Sequence, residues 1–181
     1  MKILLSLFIA LLLGYSALAQ AVTRTVTKTI VQGPAVAQVG SPVPDFSVTS
    51  IDGKTFDTQA MRGKVVVLNL WFVNCPFCVQ EIAILNPIVT QFPNAVFIGM
   101  AVNSKPQLDA FLKTNPFRYN IIPNAGQLML FKFGDVDGKG NFDLKFPQHI
   151  VIDRTGNVVL KMQGIKGVDA VRQELEKQFK Q

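Results

Sequence analysis

The chain has 181 residues and carries 18 lysines and arginines against 12 aspartates and glutamates, a formal charge of +6. Such an excess favours solubility and weak attraction to acidic surfaces, but the cations are scattered and form no run interleaved with aromatics, which argues against nucleic-acid binding. The length suits one domain with a substantial core rather than two.

The N-terminus reads as an export signal. Lys2 precedes the apolar run Ile3 to Leu13, then come Gly14-Tyr15-Ser16 and the small-residue triplet Ala17-Leu18-Ala19. That order predicts a secretory signal peptide over 1–19, cut after Ala19, with Ala19-Gln20-Ala21 as a second chemically suitable site. The run is well short of the roughly 20 residues a membrane-spanning helix needs, so an uncleaved anchor is the competing reading, and no stable membrane insertion is expected after cleavage. Neither cysteine lies near the cut, which excludes a lipid-modified N-terminal cysteine. Residues 20–41 are rich in Thr, Val, Ala and Gln and read as a leader or linker. Thr23 to Val31 alternates polar and apolar residues and is compatible with an edge strand. The folded domain is expected over 42–181.

Within it, Phe46 to Val48 and Thr55 to Asp57 flank Asp52-Gly53, a hairpin signal. Val65 to Phe72 is apolar except at Asn69, as in a central strand buried on both faces. Asn74, Cys75 and Pro76 follow, and then a helical pattern places Ile82, Leu85, Ile88, Val89 and Phe92 on one face. Pro87 inside that helix is expected to kink it. Val96 to Val102 predicts the next strand, and Ser104 caps a helix over Lys105 to Thr114. Ile121-Ile122 is short and extended, Ala125 to Phe133 is helical, and an Asp/Gly-rich loop follows. Ile150 to Asp153 and Val158 to Met162 form a hairpin across Arg154-Thr155-Gly156-Asn157, and Val168 to Phe179 closes the chain as an amphipathic helix. These elements give an α/β fold whose mixed sheet is covered on both faces, with an N-terminal hairpin extension.

Cys75 and Cys78 are the only cysteines, two residues apart where a buried strand meets a helix. Unpaired N–H groups and the positive end of the helix dipole stabilise an anion there, so the Cys75 thiolate is favoured. Cys78, one turn on, can close a disulfide with it or displace a captured partner. A structural disulfide would close too short a loop to restrict the unfolded chain much. A zinc site would need ligands beyond the single histidine, His149.

The segment Val65 to Glu81, with Trp71, Cys75-Pro76-Phe77-Cys78 and Glu81, resembles the active-site region of the TlpA/ResA-like branch of the thioredoxin superfamily. Pro44-Asp45-Phe46 upstream and Phe146-Pro147-Gln148-His149-Ile150-Val151-Ile152-Asp153 downstream resemble it too, and the likeness runs from about Val43 to Phe179. The resemblance implies a thioredoxin-like fold and thiol-disulfide exchange with protein thiols and disulfides, with no dissociable cofactor. It makes Cys75 the nucleophile and Cys78 the resolving thiol. Trp71 becomes the aromatic beside the pair, and Pro147 a cis-proline that lets the Phe146 backbone meet a substrate strand. Pro76 and Phe77 would join that contact surface. Glu81 matches a carboxylate of many relatives, able either to exchange a proton with Cys78 or to oppose a thiolate by repulsion; a solvated first-turn glutamate is the plain alternative. Asn69 departs from the classical thioredoxins, which carry an aspartate there, and Asn74 stands where they have a second tryptophan.

The implied setting is periplasmic or otherwise exported. Apocytochrome c is one candidate substrate, as in cytochrome c maturation, and a membrane thiol donor is needed if the protein is a reductase. Two alternatives compete: a copper(I) metallochaperone using both thiolates, and a peroxiredoxin-like thiol peroxidase. The peroxidase fits poorly because the residue three before Cys75 is Phe72, not threonine. His149 reads as a strand residue with its ring toward solvent. The loop from Asp135 to Asp143 superficially resembles a calcium loop but carries Lys139 at a ligand position and Phe146 where a bidentate glutamate belongs, so a turn-rich connection is expected.

Overall fold

A computed structural model describes residues 36–180; the expected signal peptide over 1–19 and the alternating stretch Thr23 to Val31 lie outside the described residues. Strands β1 (Ser47–Thr49) and β2 (Thr55–Asp57) form an antiparallel hairpin. Its turn is tied by Ser50, whose backbone N–H donates to the Lys54 carbonyl at 2.9 Å, and Gly53 supplies the positive φ of 83° that the turn requires. The central sheet then begins with β3 (Val66–Trp71), every residue of which is buried.

Helix α1 (Pro76–Gln91) follows directly and runs through Pro87. Next come β4 (Val96–Ala101), helix α2 (Lys105–Leu112), β5 (Asn120–Ile122) and helix α3 (Gly126–Phe133). Helix α2 stops short of the expected Thr114 because the N–H groups of Thr114 and Asn115 both donate to the Phe111 carbonyl, closing the end with Pro116 next in line. The turn-rich connection after α3 holds a two-stranded hairpin, β6 (Asp135–Val136) and β7 (Phe142–Asp143). The Asp137 carboxylate ties its turn by accepting from the N–H groups of Lys139 and Asn141. Strands β8 (Gln148–Ile152) and β9 (Val158–Gln163) and helix α4 (Lys166–Phe179) complete the chain.

The main sheet has the order β5-β4-β3-β8-β9, with β3, β4 and β5 parallel and β8 and β9 antiparallel to their neighbours. Alternation along the strands gives each face its own core. On one side Leu68, Leu70, Ile98, Met100, Ile150 and Ile152 pack against Phe46, Val48, Met129 and Phe133 from the hairpin and α3. On the other, Val67, Phe97 and Val151 meet Leu85 and Ile88 of α1 and Val168, Val171 and Leu175 of α4. This is the thioredoxin-like arrangement, a mixed sheet with helices on both faces.

Packing starts upstream of Pro42. Ala37 is fully buried, and its N–H donates to the Lys132 carbonyl at 2.7 Å. Lys161 on β9 donates through Nζ to the carbonyls of Ala37 and Gly134 and to Oδ1 of Asp135. The end of the stretch read as linker is therefore part of the folded body.

Candidate active site

The sequence turns from strand to helix just where the cysteines lie. Trp71 ends β3, and the connecting loop is held by two hydrogen bonds: the Cys75 N–H donates to the Phe72 carbonyl at 3.1 Å, and the Val73 N–H donates to Oδ1 of Asn103 at 2.9 Å. Cys75 is the N-cap of α1 and Pro76 opens its first turn, a position where a missing N–H costs nothing. The Cys75 Sγ accepts from the backbone N–H of Cys78 at 3.2 Å. A sulfur thus occupies the place that serine or aspartate oxygen takes at ordinary helix starts, and the donor meant for an anion is already aimed at it. The two cysteines are joined in a disulfide, with their Cα atoms 5.2 Å apart.

Neither sulfur stands out from the surface: Cys75 is 4% exposed and Cys78 1%. They pack in one cluster with Trp71, Ala101, Leu108 and Ile121, against which Phe72 and Phe146 also lie. Trp71 is fully buried, stacked on Phe117 at 4.6 Å between ring centroids and tilted against Phe111 at 5.5 Å. Phe77, between the cysteines, is 59% exposed and is the apolar side chain that this corner shows to solvent. Across the sheet the Phe146–Pro147 peptide bond is cis. The register Leu70↔Gln148 puts this turn opposite the end of β3, and Phe146 meets Phe72 edge to face at 5.1 Å. Trp71, Cys75, Cys78 and Phe146 are therefore brought to one place; Pro76 and Phe77 form its exposed lip, and Pro147 is buried behind it.

Behind the pair lies a polar group set in hydrocarbon. Glu81 follows Cys78 by three residues on α1, hence on the same helix face, and is 1% exposed. The plain alternative of a solvated glutamate is thereby overturned, because α1 turns this position into the sheet. Oε1 accepts from Nδ2 of Asn69 at 2.7 Å. The expectation that His149 points to solvent is also wrong: the residue is fully buried, its Nε2 lies 3.1 Å from Oε2 of Glu81 and its Nδ1 3.4 Å from Nδ2 of Asn69. The physical reason is that β8 is covered on both sides, so neither direction of its side chains leads to water. Tyr119, just before β5, donates its hydroxyl to Oδ1 of Asn69 at 3.1 Å. Burial, and then the charge of Glu81, hold that hydroxyl well above its ordinary pKa, so it stays a donor.

Sequence reasoning found Glu81 and noticed Asn69 but missed His149 and Tyr119. A signal existed. Asn69 is the polar interruption of β3 and His149 that of Ile150-Val151-Ile152 and its flank, and antiparallel pairing sets Asn69 directly opposite His149.

Comparison with known proteins agrees with this geometry. The AhpC/TSA family profile matches residues 39–161. The thiol-disulfide oxidoreductase ResA of Bacillus thuringiensis subsp. konkukian is 23% identical over 143 residues, 77% of this chain and 78% of that protein. The thiol:disulfide interchange protein DsbE of Yersinia pestis is 43% identical over 58 residues, 30% of this chain and 31% of its own. A solved thiol:disulfide interchange protein of the thioredoxin family from Chlorobium tepidum superposes with a TM-score of 0.61 at 24% identity, covering 78% of this chain and 99% of that one. With its cysteine pair at the head of α1 and a cis-proline turn facing it, the chain belongs to the AhpC/TSA family, in its TlpA/ResA-like branch of thiol-disulfide oxidoreductases.

Proposed function

We propose that this oxidoreductase is exported and exchanges disulfides with other exported proteins, Cys75 attacking, Cys78 resolving and Glu81 taking the Cys78 proton. The observation that carries the order of attack is the helix cap: the Cys75 Sγ accepts the Cys78 N–H, and an acceptor so placed is stabilised as a thiolate. Cys75 attacks one sulfur of the substrate disulfide, and the other leaves as a thiolate with the bonding pair. Cys78, after giving its proton to Glu81, displaces the captured sulfur and closes the pair. Glu81 supports its own assignment by being buried on the Cys78 face of α1, where a carboxylate has no solvent to serve.

Pro76, Phe77 and Phe146 form the substrate contact in this proposal, and the buried Trp71 and Pro147 support it from within. Among the described residues the Phe146 N–H and carbonyl take no backbone partner, which leaves them free to pair with an extended substrate segment. The signal-like N-terminus supports export. Among the described residues no helix is long and apolar enough to cross a membrane. A reductase role toward apocytochrome c, recharged by a membrane thiol donor, is the finer form of the proposal.

The copper(I) reading has the two thiolates and gains nothing from His149, whose ring is turned to Glu81 within the core. The peroxidase reading still lacks its threonine, Phe72 standing in that place. Insulin-disulfide reduction by the purified protein, with its reduction potential and copper content, tests the proposal. Turnover with a potential near that of thioredoxin, about −270 mV, supports a reductase, whereas about −120 mV reverses the direction of flow. Bound copper without turnover overturns the enzyme reading.

A further inference from the structure

Glu81 sits where a carboxylate is costly, and the groups around it show how it is kept in working form. Of its two oxygens, Oε1 has the Asn69 amide as donor at 2.7 Å. Oε2 has no aligned hydrogen-bond partner, yet it lies 3.1 Å from Nε2 of His149, which also has none. Two desolvated polar atoms without other partners among the described residues lie within reach of each other, so each can relieve the other.

The direction of the hydrogen bonds settles which nitrogen carries the proton. The Glu81 carboxylate, which only accepts, faces one end of the Asn69 amide at 2.7 Å; that end is therefore the NH2, and the amide oxygen is left to accept from the Tyr119 hydroxyl at 3.1 Å. The NH2 end then faces both Glu81 Oε1 and His149 Nδ1. A ring nitrogen facing an NH2 group must be the bare acceptor, which places the imidazole proton on Nε2, opposite the free oxygen of Glu81. The ring is seated by an absence on α4: a Cβ at Gly167 would run into it.

We infer that His149 is a positioning residue of the exchange reaction, its Nε2 set 3.1 Å from Oε2 of Glu81 so that the buried carboxylate is oriented to accept the proton of Cys78. Tyr119 and Asn69 act one step further back, fixing the amide and through it the tautomer. The groups that face His149 are few. Helix α1 brings Glu81 with Cys78 one turn before it, β3 brings Asn69, and the segment before β5 brings Tyr119. By register β9 brings Met162, and α4 brings Gly167. Arg172 on α4 has a buried Nε without a partner but makes no ion pair with Glu81 among the described residues. No cation competes with His149 for the carboxylate there.

The inference rests on the assigned roles of Cys75, Cys78 and Glu81, and its step balances. In the mixed disulfide the Cys78 thiol passes its proton to the Glu81 carboxylate. The Cys78 thiolate then bonds to the Cys75 sulfur, and the substrate sulfur departs as a thiolate with the electron pair of the broken bond.

Ellman's reagent separates the two steps on the full-length protein once its disulfide has been reduced and the reductant removed. The first equivalent of thionitrobenzoate reports attack by Cys75 and the second reports displacement by Cys78. His149→Leu is expected to slow the second phase about tenfold or more, the scale of one lost hydrogen bond to a charge, and to leave the first within about twofold. His149→Gln, which retains a donor, should restore most of the second phase. Unchanged second-phase rates in His149→Leu, or equal slowing of both phases, would overturn the inference. Should the leucine variant fail to fold, the chain's single histidine makes its ring nitrogens unambiguous by 15N NMR in the unaltered protein. A proton on Nε2 in both redox forms supports the inference, and one on Nδ1 overturns it. Should the unaltered protein release no thionitrobenzoate at all, the thiol-exchange reading itself falls, a result distinct from any of these.

Discussion

Adjacent rungs of one ladder carry opposite chemistry. Leu68 pairs with Ile150 across β3 and β8 and faces the hairpin and α3; the next rung pairs Asn69 with His149 and faces α1 and α4. The first face is mostly hydrocarbon, with the buried Gln148 opposite Leu70 as its polar exception on these two strands. The second accepts a carboxylate, an amide and an imidazole in the same surroundings. Burying such groups costs stability even when they are paired, so their place directly behind the cysteines points to chemistry rather than packing. One side of the sheet holds the molecule together, and the other gives up some of that stability to serve the site.

The largest effect should come where the polar face reaches the surface. Cys75→Ser is expected to bring insulin reduction down to background while circular dichroism stays unchanged, and Cys78→Ser should accumulate mixed disulfides visible on non-reducing gels. Trapping by the serine variant at 75 instead would exchange the two roles. Next in size, His149→Leu strands the Glu81 carboxylate and should cost about 3–5 kcal/mol in urea unfolding. The double variant with Glu81→Leu should recover most of that loss while leaving resolution slow. A double variant no more stable than the single one would show that the polar face costs nothing, and the contrast between the faces would collapse.

On the apolar face, Leu68→Ala should cost about 2–5 kcal/mol through the cavity it leaves, with the exchange rate per folded molecule unaltered. A changed rate would mean that the faces are coupled. The smallest effect is expected beyond the end of β8. Burial works against the charge of Asp153, but donors from Thr155, Asn157 and Gly156 outweigh it and hold the carboxyl below its ordinary value of 3.8. A carboxyl so depressed adds stability that is complete above the unfolded value and fades as the pH falls through the folded one. Asp153→Ala should therefore cost roughly 0.5 kcal/mol at neutral pH once solvent screening is counted, and the gap to the parent protein should close on acidification below the ordinary carboxylate range. A gap that persists in acid would assign the effect to packing.

The sheet was legible because its strands are short apolar runs and its helices have clear faces. Val65 to Phe72 announces β3, and Cys75 at the strand-helix junction announces the chemistry. The burial of His149 was not legible for the same reason that β8 was. A strand covered on both sides shows no polar-apolar alternation to tell inside from outside, so a lone histidine in it is assigned to solvent by default. Asn69 and His149 become a pair only through register, which depends on pairing residues 80 positions apart. The β6–β7 hairpin escaped because its strands have two residues each, below any periodicity. Ala37 escaped because one small apolar residue in a polar stretch carries no pattern.

The ammonium of Lys161 gathers three oxygens from two distant stretches of chain, one of them the carbonyl of Ala37. A shortened protein starting at Pro42 would withdraw that carbonyl, along with a side chain that fills the hairpin-side core, and leave a mostly enclosed cation incompletely solvated. Anyone trimming this protein for crystals or assays should therefore cut ahead of Val36, since the six residues that look dispensable are fastened at the far end of the sheet.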